Sequence, residues 1–220
     1  MEDKDVFDEI SSIKKIMERS TRFISLSGLS GVMAGIYALI GAGLAYTLIP
    51  EYLKSYFFPY PEQQTNDLHF SGGYVIFTIK LFIIALAILI LSIGTGLFLT
   101  ARKARLKNQI VWNQSSKALL KTALIPLLTG GCFVLIVLLL NKNTLIAPGC
   151  LIFYGLALTA ASQYTFGDVK WLGLSDIALG LIALLFPYYG LLIWALGFGV
   201  LHILYGTIMY FKYDRENSAH

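Results

Sequence analysis

Beyond residue 22, long apolar stretches alternate with short polar ones along nearly the whole chain. Six stretches are long enough to cross roughly 30 Å of hydrocarbon: Phe23–Ile49, Tyr74–Thr100, Ala123–Leu140, Thr144–Thr165, Trp171–Pro187 and Tyr188–Phe211. Backbone groups in lipid must satisfy one another within the chain, so uninterrupted apolar runs of this length predict helices. Only Asn141-Lys142-Asn143 separates the third run from the fourth, and only Phe186-Pro187-Tyr188-Tyr189-Gly190 lies between the fifth and sixth. Connections that short force antiparallel hairpins, with proline and glycine ending the helix at the second of them. The expected fold class is all-α, a polytopic membrane bundle of six transmembrane helices preceded by an amphipathic helix. Its parts are an N-terminal helical region over residues 1–22, a spanning domain over 23–211 and a tail over 212–220.

Before the first run the pattern changes period. Val6, Ile10, Ile13 and Met17 recur at helical spacing, with Phe7 and Ile16 widening the stripe. Acidic residues crowd the start of this Asp3–Ser20 helix and basic ones its end, which complements the helix dipole. Such a helix either lies in the membrane interface or offers its stripe to a partner protein.

Composition agrees with the pattern: 56% of residues are hydrophobic and 14% charged, well beyond the balance of a soluble domain. The formal charge of +4 is clustered at the ends of the runs. One basic block, Lys14, Lys15, Arg19 and Arg22, precedes the first run, and another, Arg102, Lys103, Arg105 and Lys107, follows the second. Lys117, Lys121, Lys170, Lys212 and Arg215 fall on the same side of an even-numbered topology, against Lys54 and Lys142 opposite. Lysine and arginine beside a spanning helix resist translocation, so both ends of the chain are expected in the cytoplasm. The same clustering reads as topology and attraction to anionic lipid, with no direct nucleic-acid surface.

Polar residues at membrane depth each need a partner and are the natural candidates for function. Asp176 stands out, about five residues inside the cytoplasmic end of the fifth run. Gln163 and Tyr164 at the end of the fourth run and Ser25 and Ser27 at the start of the first share its level. The grouping suggests a polar cluster, with Arg22 or Lys121 as cationic partner, that is either a proton or cation site or a structural tie. His202 lies near the middle of the last run. Haem ligation by two histidines would need a second one in the membrane, whereas His69 and His220 lie outside the runs. A hydrogen bond to a neighbouring helix is the expected state of His202.

The first run is rich in small residues. Ser27, Gly31 and Gly35 form one ladder at four-residue spacing, and Ser30, Ala34, Ala38 and Ala42 another. Small residues let backbones approach where lipid gives no hydrophobic drive for association, in a dimer or inside the chain's own bundle. The connection 50–73 is aromatic, with Tyr52, Tyr56, Phe57, Phe58, Tyr60 and Phe70, and suits either a headgroup belt or a lid. The connection 101–121 is expected to continue the second helix before turning back.

Much chemistry is missing from the sequence. Cys132 and Cys150 form no Cys-x-x-Cys pair and no Cys/His cluster, so neither a metal site nor a redox pair is expected. There is no glycine-rich phosphate loop, no His-Glu-x-x-His and no ordered triad. No cofactor and no catalytic residue is assigned.

The segment Met17-Glu-Arg-Ser-x-Arg-Phe-Ile-Ser-Leu-Ser-Gly-Leu-Ser-Gly31 resembles a family of uncharacterised bacterial inner-membrane proteins. Leu151-Ile-Phe-Tyr-Gly-Leu-Ala-Leu158 and Trp194-Ala-Leu-Gly-Phe-Gly-Val-Leu-His-Ile-Leu-Tyr-Gly206 extend the likeness over nearly the whole chain. The resemblance implies the bacterial inner membrane and, through genes for small winged-helix regulators that neighbour such proteins, a regulatory partner. The last hairpin, Gly180-x6-Pro187 with Gly197 and Gly206, is similar to the hairpins of HdeD-type acid-resistance membrane proteins. Two functions stay open. One is a sensor or scaffold with a cytoplasmic protein partner docked on Val6, Ile10, Ile13 and Met17. The other is a small-molecule or proton-coupled transporter component built around Asp176.

Overall fold

The computed structural model describes residues 27–49, 72–106, 112–140 and 142–215. The amphipathic stripe at Val6, Ile10, Ile13 and Met17, the aromatic connection and the first basic block lie outside the described residues. What is described is helical throughout. The helices are α1 (Gly28–Leu48), α2 (Gly72–Leu106), α3 (Gln114–Leu139), α4 (Ile146–Ala161) and α5 (Val169–Leu185). A last helix, α6, runs over 190–215 and alternates α-helical Gly190–Trp194 and His202–Met209 with π-helical Ala195–Leu201 and Tyr210–Arg215. Single 3₁₀ turns, Asn143–Leu145, Ser162–Tyr164 and Pro187–Tyr189, flank α4 and close the final hairpin.

Five helical stretches are long and apolar enough to span a membrane. The sixth, α5, has 17 residues, about 26 Å at 1.5 Å per residue. Burial is inverted relative to a soluble protein. Phe82, Ile83, Leu86, Ile90, Leu97 and Phe98 of α2 are all exposed, while the interior is lined with glycine, alanine and a few polar groups. An apolar exterior over a small-residue interior is what a hydrocarbon solvent selects. The chain is a multi-pass membrane bundle.

Helix α2 continues into the second basic block as far as Leu106, as expected of the connection 101–121, whereas α3 starts at Gln114 rather than Ala123. The early start has a local cause. Asn113 Oδ1 accepts the Ser116 N–H at 2.8 Å, and Ser116 Oγ accepts the Asn113 N–H at 2.9 Å. This reciprocal cap satisfies two otherwise orphaned donors. The polar first turns carry the helix out of the apolar zone, where hydropathy alone cannot see it.

The helices pack as two overlapping trios. Helix α4 sits between α3 and α5, α1 sits between α2 and α6, and the first half of α6 joins the trios by lying against α4 and α5. Glycine makes both central contacts. A Cβ on Gly206 would lie 2.5 Å from the Val32 backbone nitrogen, and one on Gly35 would lie 2.6 Å from the Gly199 carbonyl. The α4/α5 contact is reciprocal: a Cβ on Gly155 would meet the Gly173 carbonyl at 2.5 Å, and one on Gly173 the Gly155 carbonyl at 2.6 Å. The small-residue ladder of α1, with Gly31 and Gly35 against α6 and Ala38 buried, is therefore used inside the chain's own bundle.

Candidate functional site

Two polar clusters emerge, one in the middle of the bundle and one at its basic end. Asp176 forms the first. It falls at the centre of α5 and is 0% exposed, deeper along its helix than its distance from Trp171 suggests, because α5 begins at Val169. Neither of its carboxylate oxygens has a hydrogen-bond partner among the described residues. The reason there is room for the group is Gly197 on α6: a Cβ there would lie 3.0 Å from Asp176 Oδ1 and would also collide with Leu151. Leu151 and Leu179 complete an apolar wall around the same spot.

Beside Asp176 the structure brings together Tyr154 of α4 and His202 of α6. The Tyr154 hydroxyl is 2.9 Å from His202 Nε2, and His202 Nδ1 is 2.9 Å from the Gly197 carbonyl oxygen. A carbonyl can only accept, so Nδ1 carries the hydrogen in the neutral ring and Nε2 accepts from Tyr154. Phe198 packs against both rings at centroid distances of 4.9 Å and 5.8 Å. His202 is thereby oriented from two directions by groups on different helices. The π-helical turn Ala195–Leu201 immediately precedes His202, and such turns recur where a helix is re-aimed for function.

The other residues expected in this cluster go elsewhere. Gln163 is exposed and Tyr164 half-buried, both in the 3₁₀ turn after α4. Lys121 is exposed on α3, and Arg22 lies outside the described residues. Ser27 belongs to the second cluster, where its hydroxyl donates to Asp214 Oδ2 at 3.4 Å. Asp214 also accepts the Gly28 N–H at 3.1 Å and pairs with Lys103 at 2.5 Å, the two charged side chains being only 11% and 12% exposed. One carboxylate thus joins the end of α2, the start of α1 and the end of α6. It takes over capping at α1, whose Ser27 makes no cap bond of its own.

Next to it, Asp168 accepts from Lys212 Nζ at 2.7 Å and from the Tyr213 hydroxyl at 2.8 Å. Tyr213 stacks on Phe166 at 4.0 Å, and Lys103 Nζ sits 5.6 Å over the Phe166 ring. The Lys212 hydrogen bond, opposed by partial burial and reinforced by Tyr213, holds the Asp168 carboxyl below the usual carboxylate range. Sequence reasoning missed Tyr154, Asp168 and Asp214. Tyr154 sits in an apolar run at helical spacing from nothing polar, and the two aspartates lie beside basic residues that read as simple flanks. Cys132 and Cys150 are free thiols. Among the described residues no group of three or more histidine, cysteine, aspartate or glutamate side chains is placed to hold a metal.

No protein-family model, no curated protein and no solved structure matches the chain.

Proposed function

We propose that this chain is a bacterial inner-membrane protein with cytoplasmic ends that binds a proton or a small monovalent cation at Asp176, as a component of proton- or cation-coupled transport. The observation that supports this is the fully buried Asp176 carboxylate, whose two oxygens have no hydrogen-bond partner among the described residues. A structural aspartate inside a membrane is normally tied to its neighbours, because an uncompensated charge there costs several kcal/mol, roughly. A carboxylate with no protein partner among the described residues, given room by a glycine on the facing helix, has instead the form of a site that takes up positive charge. The basic flanks of α2, α3 and α5 support the orientation. A sensor or scaffold role with a partner on the Val6/Ile10/Ile13/Met17 stripe draws its support from the sequence pattern of a segment outside the described residues.

The test is the melting temperature of the purified protein as a function of pH above about 6, clear of the range where ordinary carboxylates titrate, and of sodium, lithium and potassium concentration. A bound ion stabilises the form that binds it, so melting should depend on one of these variables. Asp176→Asn should abolish that dependence and melt at the same temperature or higher. An Asn variant that keeps the wild-type dependence on every ion would remove the basis of the proposal.

A further inference from the structure

At the basic end of the bundle, α2 carries a cavity of about 500 Å³ whose lining among the described residues is Phe98, Ala101, Arg102, Arg105 and Leu106. These positions recur at three- and four-residue spacing and so share one face of the helix. Lys103 and Ala104 take the opposite face, where Lys103 is committed to Asp214 and Ala104 is fully buried. The cavity therefore opens away from the bundle, toward lipid. It is separate from Asp176, which lies enclosed at the centre of α5.

The charges at this end divide by what they meet. Lys103 pairs with Asp214 and Lys212 with Asp168, so both ammonium groups serve as ties between helices. Arg102 and Arg105 are exposed and have no ion-pair or hydrogen-bond partner among the described residues. At this spacing their Cβ atoms lie roughly 5–6 Å apart. A guanidinium fork matches two oxygens of a phosphate, so the pair can close on one phosphate group. Phe98 sits one turn deeper than Arg102, about 6 Å along the axis. It is exposed, as is Leu106 on the other side of the arginines.

We infer that Arg102 and Arg105 hold the phosphate of an anionic phospholipid, with Phe98 against its acyl chains, and that the site selects headgroups carrying no ammonium. Cations above an apolar ledge match a phospholipid at the boundary between hydrocarbon and headgroup. A free phosphate ion would fill the charged half of the cavity and leave Phe98 uncovered. An ethanolamine headgroup would set its ammonium beside two unpaired guanidiniums, where like charges repel. A glycerol headgroup brings only hydroxyls.

Native mass spectrometry of the full chain in detergent, titrated with phosphatidylglycerol or phosphatidylethanolamine of matched acyl chains, tests the site. One phosphatidylglycerol should be retained per chain, with the ethanolamine lipid at least about tenfold weaker. Arg102→Gln combined with Arg105→Gln should weaken phosphatidylglycerol about tenfold or more. Lys117→Gln combined with Lys121→Gln removes the same charge from exposed positions of α3 and should leave binding unchanged. Arg102→Lys combined with Arg105→Lys keeps the charge but loses the fork, and should bind several-fold more weakly than wild type. Equal losses for the two glutamine pairs would mean diffuse attraction and overturn the site. Wild-type affinity in the lysine pair overturns recognition by the guanidinium fork. Ethanolamine lipid held as tightly as phosphatidylglycerol overturns the selectivity, and displacement of the lipid by millimolar inorganic phosphate overturns a lipid as the occupant.

Discussion

Asp214 accepts from Gly28, takes the Ser27 hydroxyl and pairs with Lys103, so three helix ends meet on one carboxylate. Replacing it with alanine strips Lys103 of that counter-charge in a setting where both side chains are nearly buried. The expected cost is about 3 kcal/mol, read as a lower melting temperature, while Asp214→Asn keeps the Gly28 cap and should cost less. Equal losses for the two variants would mean that the Gly28 cap is immaterial and the charge carries the effect. Asp168 behaves differently. Its carboxyl is held below the ordinary value, so its contribution is full above the unfolded value of about 4 and is lost as pH falls through the lower folded value. The melting-temperature gap between wild type and Asp168→Asn should therefore be constant near neutrality and close below about pH 4. A gap that stays open in acid would show that Asp168 is not titrating against its partners. Neither aspartate was legible as a tie in the sequence, because each partner sits tens of positions away on another helix.

At the scale of elements, apolar runs located the helices and local chemistry set their ends. Asn113→Ala removes one half of the α3 cap and should lower stability by about 1 kcal/mol. Glycines divide by what faces them. Gly173 meets backbone across α4/α5, so Gly173→Ala forces two helices apart and should cost about 1–3 kcal/mol. Gly43, mid-helix in α1, has nothing within 4 Å of a would-be Cβ. Gly43→Ala should raise stability by roughly 0.5–1 kcal/mol, since alanine loses less entropy in a helix. Melting of the two alanine variants in one detergent checks both signs. The four-residue spacing in α1 showed that something packs closely there; that the partner is α6, through Gly199 and Gly206, was not readable from spacing.

For the whole molecule, Lys103, Asp168 and Asp214 gather at one end of the bundle, and Lys142 belongs to the turn at the opposite end. Both Lys142 and Lys170 are exposed. After replacement of Cys132 and Cys150, a cysteine at position 170 should react only with a reagent admitted to the cytoplasm, and one at position 142 only from outside. Labelling of both from one side would overturn the orientation derived from the basic residues.

The chain's own pattern determined the class, the number of apolar crossings and the ends at which charge collects, because each follows from local length and hydropathy acting against a hydrocarbon solvent. It also singled out Asp176 and His202, since ionisable residues in apolar runs are conspicuous one at a time. The tertiary structure decided what they face. Tyr154 enters the site only because α4 and α6 pack side by side, and Ser27 leaves it because α1 begins against Asp214. Gly197 matters only because a missing Cβ opens space on a neighbouring helix. Those relations depend on which helix faces register with one another, and in a bundle whose helices are apolar all round, no face is marked in advance.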